Sequence, residues 1–180
     1  MHEIEEWLPA ARTAGLVEAD LDDLAELLVE TVRLGASVNF IHPFGLNDGR
    51  KFWAEKVLPD VRARETRAFV ARLEGRIVGT VLLGLAMPPN QRHRASVNKM
   101  LVHPRARRRG IGRALMRALE VAAKEENRSL LTLDTRTDSE AEPLYVSMGF
   151  KIVGVVPRFA LHADGEILEA ATFMYKELSD

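Results

Sequence analysis

"MLVHPRARRRGIGRALM", residues 100–116, changes character three times. It begins as an apolar, strand-like run and stops at Pro104. It then packs five arginines into residues 105–113 and goes on at helical spacing. Ile111, Leu115, Leu119 and Ala122 recur four, four and three residues apart, the spacing of one helix face. A glycine-bearing loop between a strand and a helix start suits an anion. Glycines let the backbone approach closely, and the first N–H groups of a helix have no internal partner. The helix dipole adds its attraction, and neighbouring arginines add charge-assisted bonds. The stretch reads as a phosphate cradle capped by Arg107, Arg108, Arg109 and Arg113 around Gly110 and Gly112.

Other readings compete. A dinucleotide fold needs Gly-x-Gly-x-x-Gly at the strand end, but Leu115 takes the third glycine's place. Nucleic acid would suit the arginines, yet there is no interleaved aromatic pattern and no second basic region. The bland reading is a solvated arginine run ahead of an ordinary helix, since Gly-x-Gly alone is a weak signal.

The rest of the composition narrows the class. The chain has 180 residues, 25 basic and 26 acidic, with a net charge of −1, so the arginine cluster needs a local explanation. At 47% hydrophobic and 28% charged it reads as a single globular domain, residues 1–180. No run of 18 apolar residues suggests a membrane span. The opening "MHEIEEWLPA" is acidic and does not read as a secretory signal. With no cysteine there is no disulfide framework and no thiolate chemistry, and a cytoplasmic location is expected. No histidines or carboxylates stand at metal-binding spacing, so no metal is expected. His93 and His103 read as surface histidines.

Periodicity gives the element order. "DLDDLAELLVETVRLGA" reads as a helix with Leu21, Leu24, Leu27, Leu28 and Val32 inward, Asp20 as its cap and Gly35 at its end. A second helix is expected within residues 47–64, broken or kinked at Pro59, with Phe52 and Trp53 in the core. "RAFVARL" and "IVGTVLLGLA" read as a hairpin turning at Glu74-Gly75-Arg76, and "ASVNKMLV" as a third strand. After the arginine helix come the buried strand "LLTLDT", a short helix in "SEAEPLYVSMG" ended by Gly149, and two strands joined around Ala163-Asp164-Gly165. The expected fold is α/β, a mixed sheet flanked by helices.

Residues 100–116 also resemble, position for position, the acetyl-CoA signature of the GCN5-related N-acetyltransferases (GNAT). That signature is a strand ending in hydrophobic-x-Pro, then Arg/Gln-x-x-Gly-x-Gly/Ala opening a helix. Arg107, Gly110 and Gly112 hold its defining places. "AEPLYVSMGF" resembles the family's second motif, with Leu144, Tyr145, Gly149 and Phe150 in place. The first motif spans about residues 97–126 and the second about 130–150. The family resemblance covers residues 65 to 178 and implies a mostly antiparallel sheet. "LLVETVRLGASVNFI", "LDT", "AEPLY" and "VGVVPRFALHADGEI" are similar to the tabtoxin-resistance acetyltransferases within the family, which extends the resemblance over almost the whole chain.

The resemblance implies transfer of an acetyl group from acetyl-CoA to the primary amine of a small molecule, possible acceptors being amino-acid-like toxins or antibiotics; a protein N-terminus or lysine, and a CoA-binding module without turnover, are the alternatives. It implies a bulged third strand whose backbone at Met100 and Val102 binds the pantetheine arm. It places Tyr145 as the acid that protonates the departing sulfur. Asp134 is read either as the base or as a loop cap bonded to Arg136 or Thr137. Related enzymes often carry a glutamate on the preceding strand, where this chain has Ser96 and Asn98. Asp138 stands where an asparagine is common. Ser37, Asn39 and Phe40 are candidate acceptor-pocket residues. Neither nucleic acid nor membrane is an expected partner, and the last two strands suit a homodimer and a monomer equally.

Overall fold

The computed structural model describes residues 2–36 and 38–178. One seven-stranded sheet forms its centre. The strands are β1 (Glu3–Glu6), β2 (Thr66–Leu73), β3 (Arg76–Gly84), β4 (Arg94–Val102), β5 (Leu130–Arg136), β6 (Lys151–Leu161) and β7 (Leu168–Glu177). Their order across the sheet is β1-β2-β3-β4-β5-β7-β6, and only β4 and β5 run parallel. The helices are α1 (Ala14–Arg33), α2 (Leu46–Phe52), α3 (Leu58–Arg62), α4 (Ile111–Glu125) and α5 (Glu142–Ser147). Ile111, Leu115, Leu119 and Ala122 of α4 are buried against Val81, Leu83, Ala95, Val97, Leu131 and Leu133 on one sheet face. On the other, α1 and the α2–α3 segment cover Ala68, Val70, Ile77, Leu82 and Leu101. Among the described residues no helix is long and apolar enough to cross a membrane.

The expected order holds, with one strand added. β1 is only "EIEE", too short and too acidic to show a strand period. Its glutamates are held by arginines: Glu5 accepts from Arg12 and Arg72, and Glu6 from Arg67. Asp20 does not cap α1, which begins six residues earlier with Thr13 at its N-cap position. Asp20 is buried instead. It accepts from Trp7 Nε1 at 2.9 Å and from Arg72 at 2.7 Å, tying α1 to the sheet edge. α2 and α3 form one bent helix. A single π turn, Trp53–Val57, precedes Pro59, whose missing N–H breaks the regular ladder there.

Two irregularities of the sheet shape the site. The first is a bulge in β4: Thr80 pairs with Leu101 and Leu82 with Asn98, so Lys99 and Met100 together oppose Val81. Lys99 takes a left-handed φ of 47°. The extra residue inverts the alternation. Ala95 and Val97 face α4, whereas Leu101 faces the α1 side. The second is a parting of strands. β4 and β5 pair only at Arg94–Leu130, Ala95–Leu131 and Ser96–Thr132. Beyond that point β4 leaves β5, while β5 stays paired to β7 as far as Arg136. A wedge opens between β4 and β5.

The front of the molecule is closed by a seam. The β6–β7 tip reaches the segment between α1 and α2, where His42 N–H donates to the Ala163 carbonyl at 2.8 Å. Ala163 is buried in the α1-side core, and a Cβ on Gly35 would lie 2.5 Å from His162 Nε2. β6 also runs further than its sequence suggests, through Pro157 to Leu161. It is an edge strand, which tolerates a proline that cannot donate.

Candidate active site

The bulge, the parting and the start of α4 meet at one place. From Val97 on, one side of the β4 backbone lacks a strand partner, leaving N–H and C=O groups toward the wedge. α4 starts beside it. Gly110, at φ 77°, is the N-cap, and Arg108, at φ 60°, also curls the loop the left-handed way. Gly112 makes a close approach possible: a Cβ there would lie 3.0 Å from Leu144 Cδ2 and 3.6 Å from Met100 Sδ. Leu144, Met100 and Val102 crowd this point, and a side chain there would have to displace Leu144. The free strand edge of β4 beside it suits an extended ligand with amide groups.

The arginines divide into two groups. Arg108 and Arg109 are exposed at the loop tip, beside the α4 N-terminus. Arg107 is turned back: its Nε donates to the Val102 carbonyl at 3.4 Å and it pairs with Glu140 at 3.2 Å. Arg113 donates to Ser147 Oγ at 2.8 Å, tying α4 to α5. His103 caps the preceding turn by accepting from Arg105 N–H at 3.2 Å.

Tyr145 sits in α5, buried, its ring 5.7 Å from that of Phe150. Burial raises its hydroxyl above the ordinary tyrosine range, and the Asp134 carboxylate pushes the same way. The hydroxyl is therefore protonated at neutral pH and able to donate. Asp134 is not a loop cap. It lies inside β5 opposite Phe173, and Thr137 N–H is taken by the Ala170 carbonyl. Leu131 and Leu133 face α4, so alternation turns exposed Asp134 to the α1 side. Asp138 stands apart, exposed at φ 60°, its N–H bound to Glu142 Oε2 at 3.1 Å.

One site residue lay hidden in the sequence. Lys99 shares the α1-side face with Asp134 because of the bulge. Its Nζ donates to the Val38 carbonyl at 3.0 Å and sits 5.5 Å from the ring centroids of both Phe40 and Phe52. Phe40 thus lies beside Lys99, and Phe52 stands at the edge of the core rather than deep in it, unlike Trp53, which is fully buried. Asn39 lies in the same loop at φ 73°; Ser37 falls outside the described residues. Ser96 and Asn98 bond each other at 2.8 Å and supply no base. Among the described residues no cluster of three His, Cys, Asp or Glu side chains forms a metal site.

Residues 64–152 match the model of the acetyltransferase (GNAT) domain. The chain is 28% identical over 130 residues to an uncharacterized N-acetyltransferase encoded in the hisH–hisA intergenic region of Azospirillum brasilense, covering 71% of this chain and 75% of that one. Its fold is similar to a ribosomal-protein-alanine N-acetyltransferase of Brucella melitensis, with a TM-score of 0.78 at 23% identity over 98% of this chain and 99% of the other. It is equally similar to the Salmonella typhimurium protein yncA, solved with its cofactor acetyl-CoA: TM-score 0.78, 19% identity, 100% and 95% covered.

Proposed function

We propose that this acetyl-CoA-dependent N-acetyltransferase, whose residues 64–152 match the acetyltransferase (GNAT) domain, takes the primary amine of a small molecule as its acceptor. The observation that carries this reading is the wedge. It joins an unpaired strand edge, the glycine-bearing start of α4 and two opposed charges, Asp134 and Lys99, on one face. The space lies between secondary structure elements and behind the seam at Ala163, which suits a compact acceptor better than a long peptide. The similarity of "LLVETVRLGASVNFI" and "VGVVPRFALHADGEI" to the tabtoxin-resistance acetyltransferases supports an amino-acid-like one.

In this reading the free β4 backbone at Met100 and Val102 holds the pantetheine arm. The α4 amides beyond Gly110 and Gly112, with Arg108, Arg109 and Arg113, take the phosphates. Arg107 shapes the loop through Val102 and Glu140. The acetyl-CoA thioester supplies the activated acyl group. The acceptor nitrogen must lose a proton to expose its lone pair, and Asp134, directly or through water, accepts it. The nitrogen then bonds to the carbonyl carbon, the C–S bond breaks, and Tyr145 gives its proton to the departing sulfur.

Release of free CoA thiol, measured with small amino-acid-like amines against peptides with an N-terminal alanine, tests the reading. Turnover of small amines with little turnover of peptides is expected. Turnover of peptides alone, or none at all by protein that binds acetyl-CoA, would overturn it.

β6 supports a homodimer. It is an unpaired edge whose Ile152, Val153, Val155, Val156, Phe159 and Leu161 are all exposed. Lys151, Pro157 and Arg158 bound its apolar run at residues 152–156, which a second copy of the same strand could pair with. Val153, 69% exposed, is the most open of them. Val153→Asp is expected to convert a dimer to a monomer in sedimentation velocity, with thiol release retained per folded chain. A wild-type monomer at micromolar concentration would exclude this interface.

A further inference from the structure

The bulge that frees the β4 backbone does a second thing. It carries Lys99 to the α1-side face, where alternation from Val97 would have buried it under α4. The ammonium is largely enclosed, and burial lowers its pKa, with Asp134 opposing the shift. Three groups nonetheless favour the charged form: the Val38 carbonyl at 3.0 Å and the faces of Phe40 and Phe52 at 5.5 Å. None of them carries a negative charge. Among the described residues no carboxylate forms an ion pair with Lys99, although ion pairs such as Lys176–Glu120 and Arg67–Glu6 occur elsewhere. Asp134 acts on it only at longer range. A partly buried cation without a contacting anion is costly to keep unless something else brings the anion.

Phe40 and Phe52 also fix where Lys99 can reach. The rings contact each other edge to face at 5.1 Å, and Phe40 stacks on Phe44 at 4.5 Å, so the ammonium rests on a preformed aromatic shelf. An ammonium has three N–H groups, and Val38 takes one. The face therefore presents a fixed cation at Lys99 and an exposed carboxylate at Asp134. Such a pair fits a small zwitterion: an ammonium toward Asp134, where it must lose its proton, and an acidic group toward Lys99.

We propose that Lys99 is the specificity-determining residue for the acceptor, binding its carboxylate or similar acidic group, so that the acceptor is an amino acid or a close analogue. This rests on the acetyltransferase reading for the identity of the site, but its test does not need turnover.

Protein saturated with CoA is titrated calorimetrically with a panel of L-amino acids and with the corresponding C-terminal amides. Wild type is expected to bind the preferred amino acid ten- to a hundredfold more tightly than its amide, the range for a charge-assisted bond. In Lys99→Met the gap closes, and in Lys99→Arg it returns in large part. Equal binding of acids and amides by wild type, or the same gap in Lys99→Met, would overturn the assignment. Where turnover is measurable, the loss in Lys99→Met falls on KM for the acid and spares kcat for the amide. A gap in binding without thiol release would sink the acetyltransferase reading and leave Lys99 as the anion site. Thiol release without a gap would do the reverse.

Discussion

Tyr145→Phe is expected to lower kcat by roughly 10²–10⁴-fold, the usual span for removing a general acid, while affinity for acetyl-CoA is retained. The substitution deletes one oxygen and keeps the ring against Phe150, so packing is preserved. The effect depends on the hydroxyl being protonated. Its pKa is raised, first by burial and second by Asp134, so the proton is held up to and beyond the ordinary tyrosine range. Activity assigned to this acid is therefore present at low and neutral pH, and would be lost only as pH climbs past the raised value. An alkaline fall in kcat near the ordinary tyrosine pKa must come from another group. Rapid-mix measurement of thiol release and of donor binding separates the cases. An unchanged kcat would assign Tyr145 to packing alone.

Asp20→Ala is expected to cost about 3–5 kcal/mol of unfolding free energy, the range for stripping one partner from a buried charge pair. The carboxylate is 3% exposed and holds Trp7 Nε1 and Arg72 together. Arg72 is in turn shared with Glu5 of β1, so the loss spreads to the sheet edge. Asp20→Asn keeps an acceptor for the indole and is expected to cost less. Equilibrium denaturation with urea reads both. A cost under about 1 kcal/mol for Asp20→Ala, as for an exposed pair, would mean that β1 is not anchored there.

Asp20 also shows where sequence reading stopped. An aspartate at the head of an apolar heptad pattern looks like a cap, because capping is local and burial against a distant strand is not. β1 escaped for the same reason: four residues with one isoleucine carry no period, and besides Arg12 its glutamates are satisfied by Arg67 and Arg72, 61 and 67 positions away. The donor side was far more legible. Helical spacing from Ile111, the two glycines and the strand before Pro104 are all local signals, and the structure sets them side by side. The acceptor side was not. Lys99 lies in a run that alternates in the ordinary way on paper, and only the pairing of Thr80 with Leu101 and Leu82 with Asn98 shows that the alternation flips. Asp134 was legible as a residue but not as a role, since the choice between cap and cleft turns on how far β5 runs beside β7.

The parting of β4 from β5 gives the molecule the form of a split ring. Its back is hinged on three residue pairs, and its front is latched by one backbone bond between His42 and Ala163, with Gly35 fitted against His162. One arm carries the donor strand and the lysine; the other carries the aspartate. Helix α4 packs across both arms, against Ala95 and Val97 of one and Leu131 and Leu133 of the other, so the back is held by one shared core. In the proposed reading, the width of the opening offered to an acceptor then depends on the latch more than on Asp134 or Tyr145. Substitutions at the clasp, at Gly35 or Ala163, are therefore expected to change which acceptor fits while leaving Asp134 and Tyr145 in place.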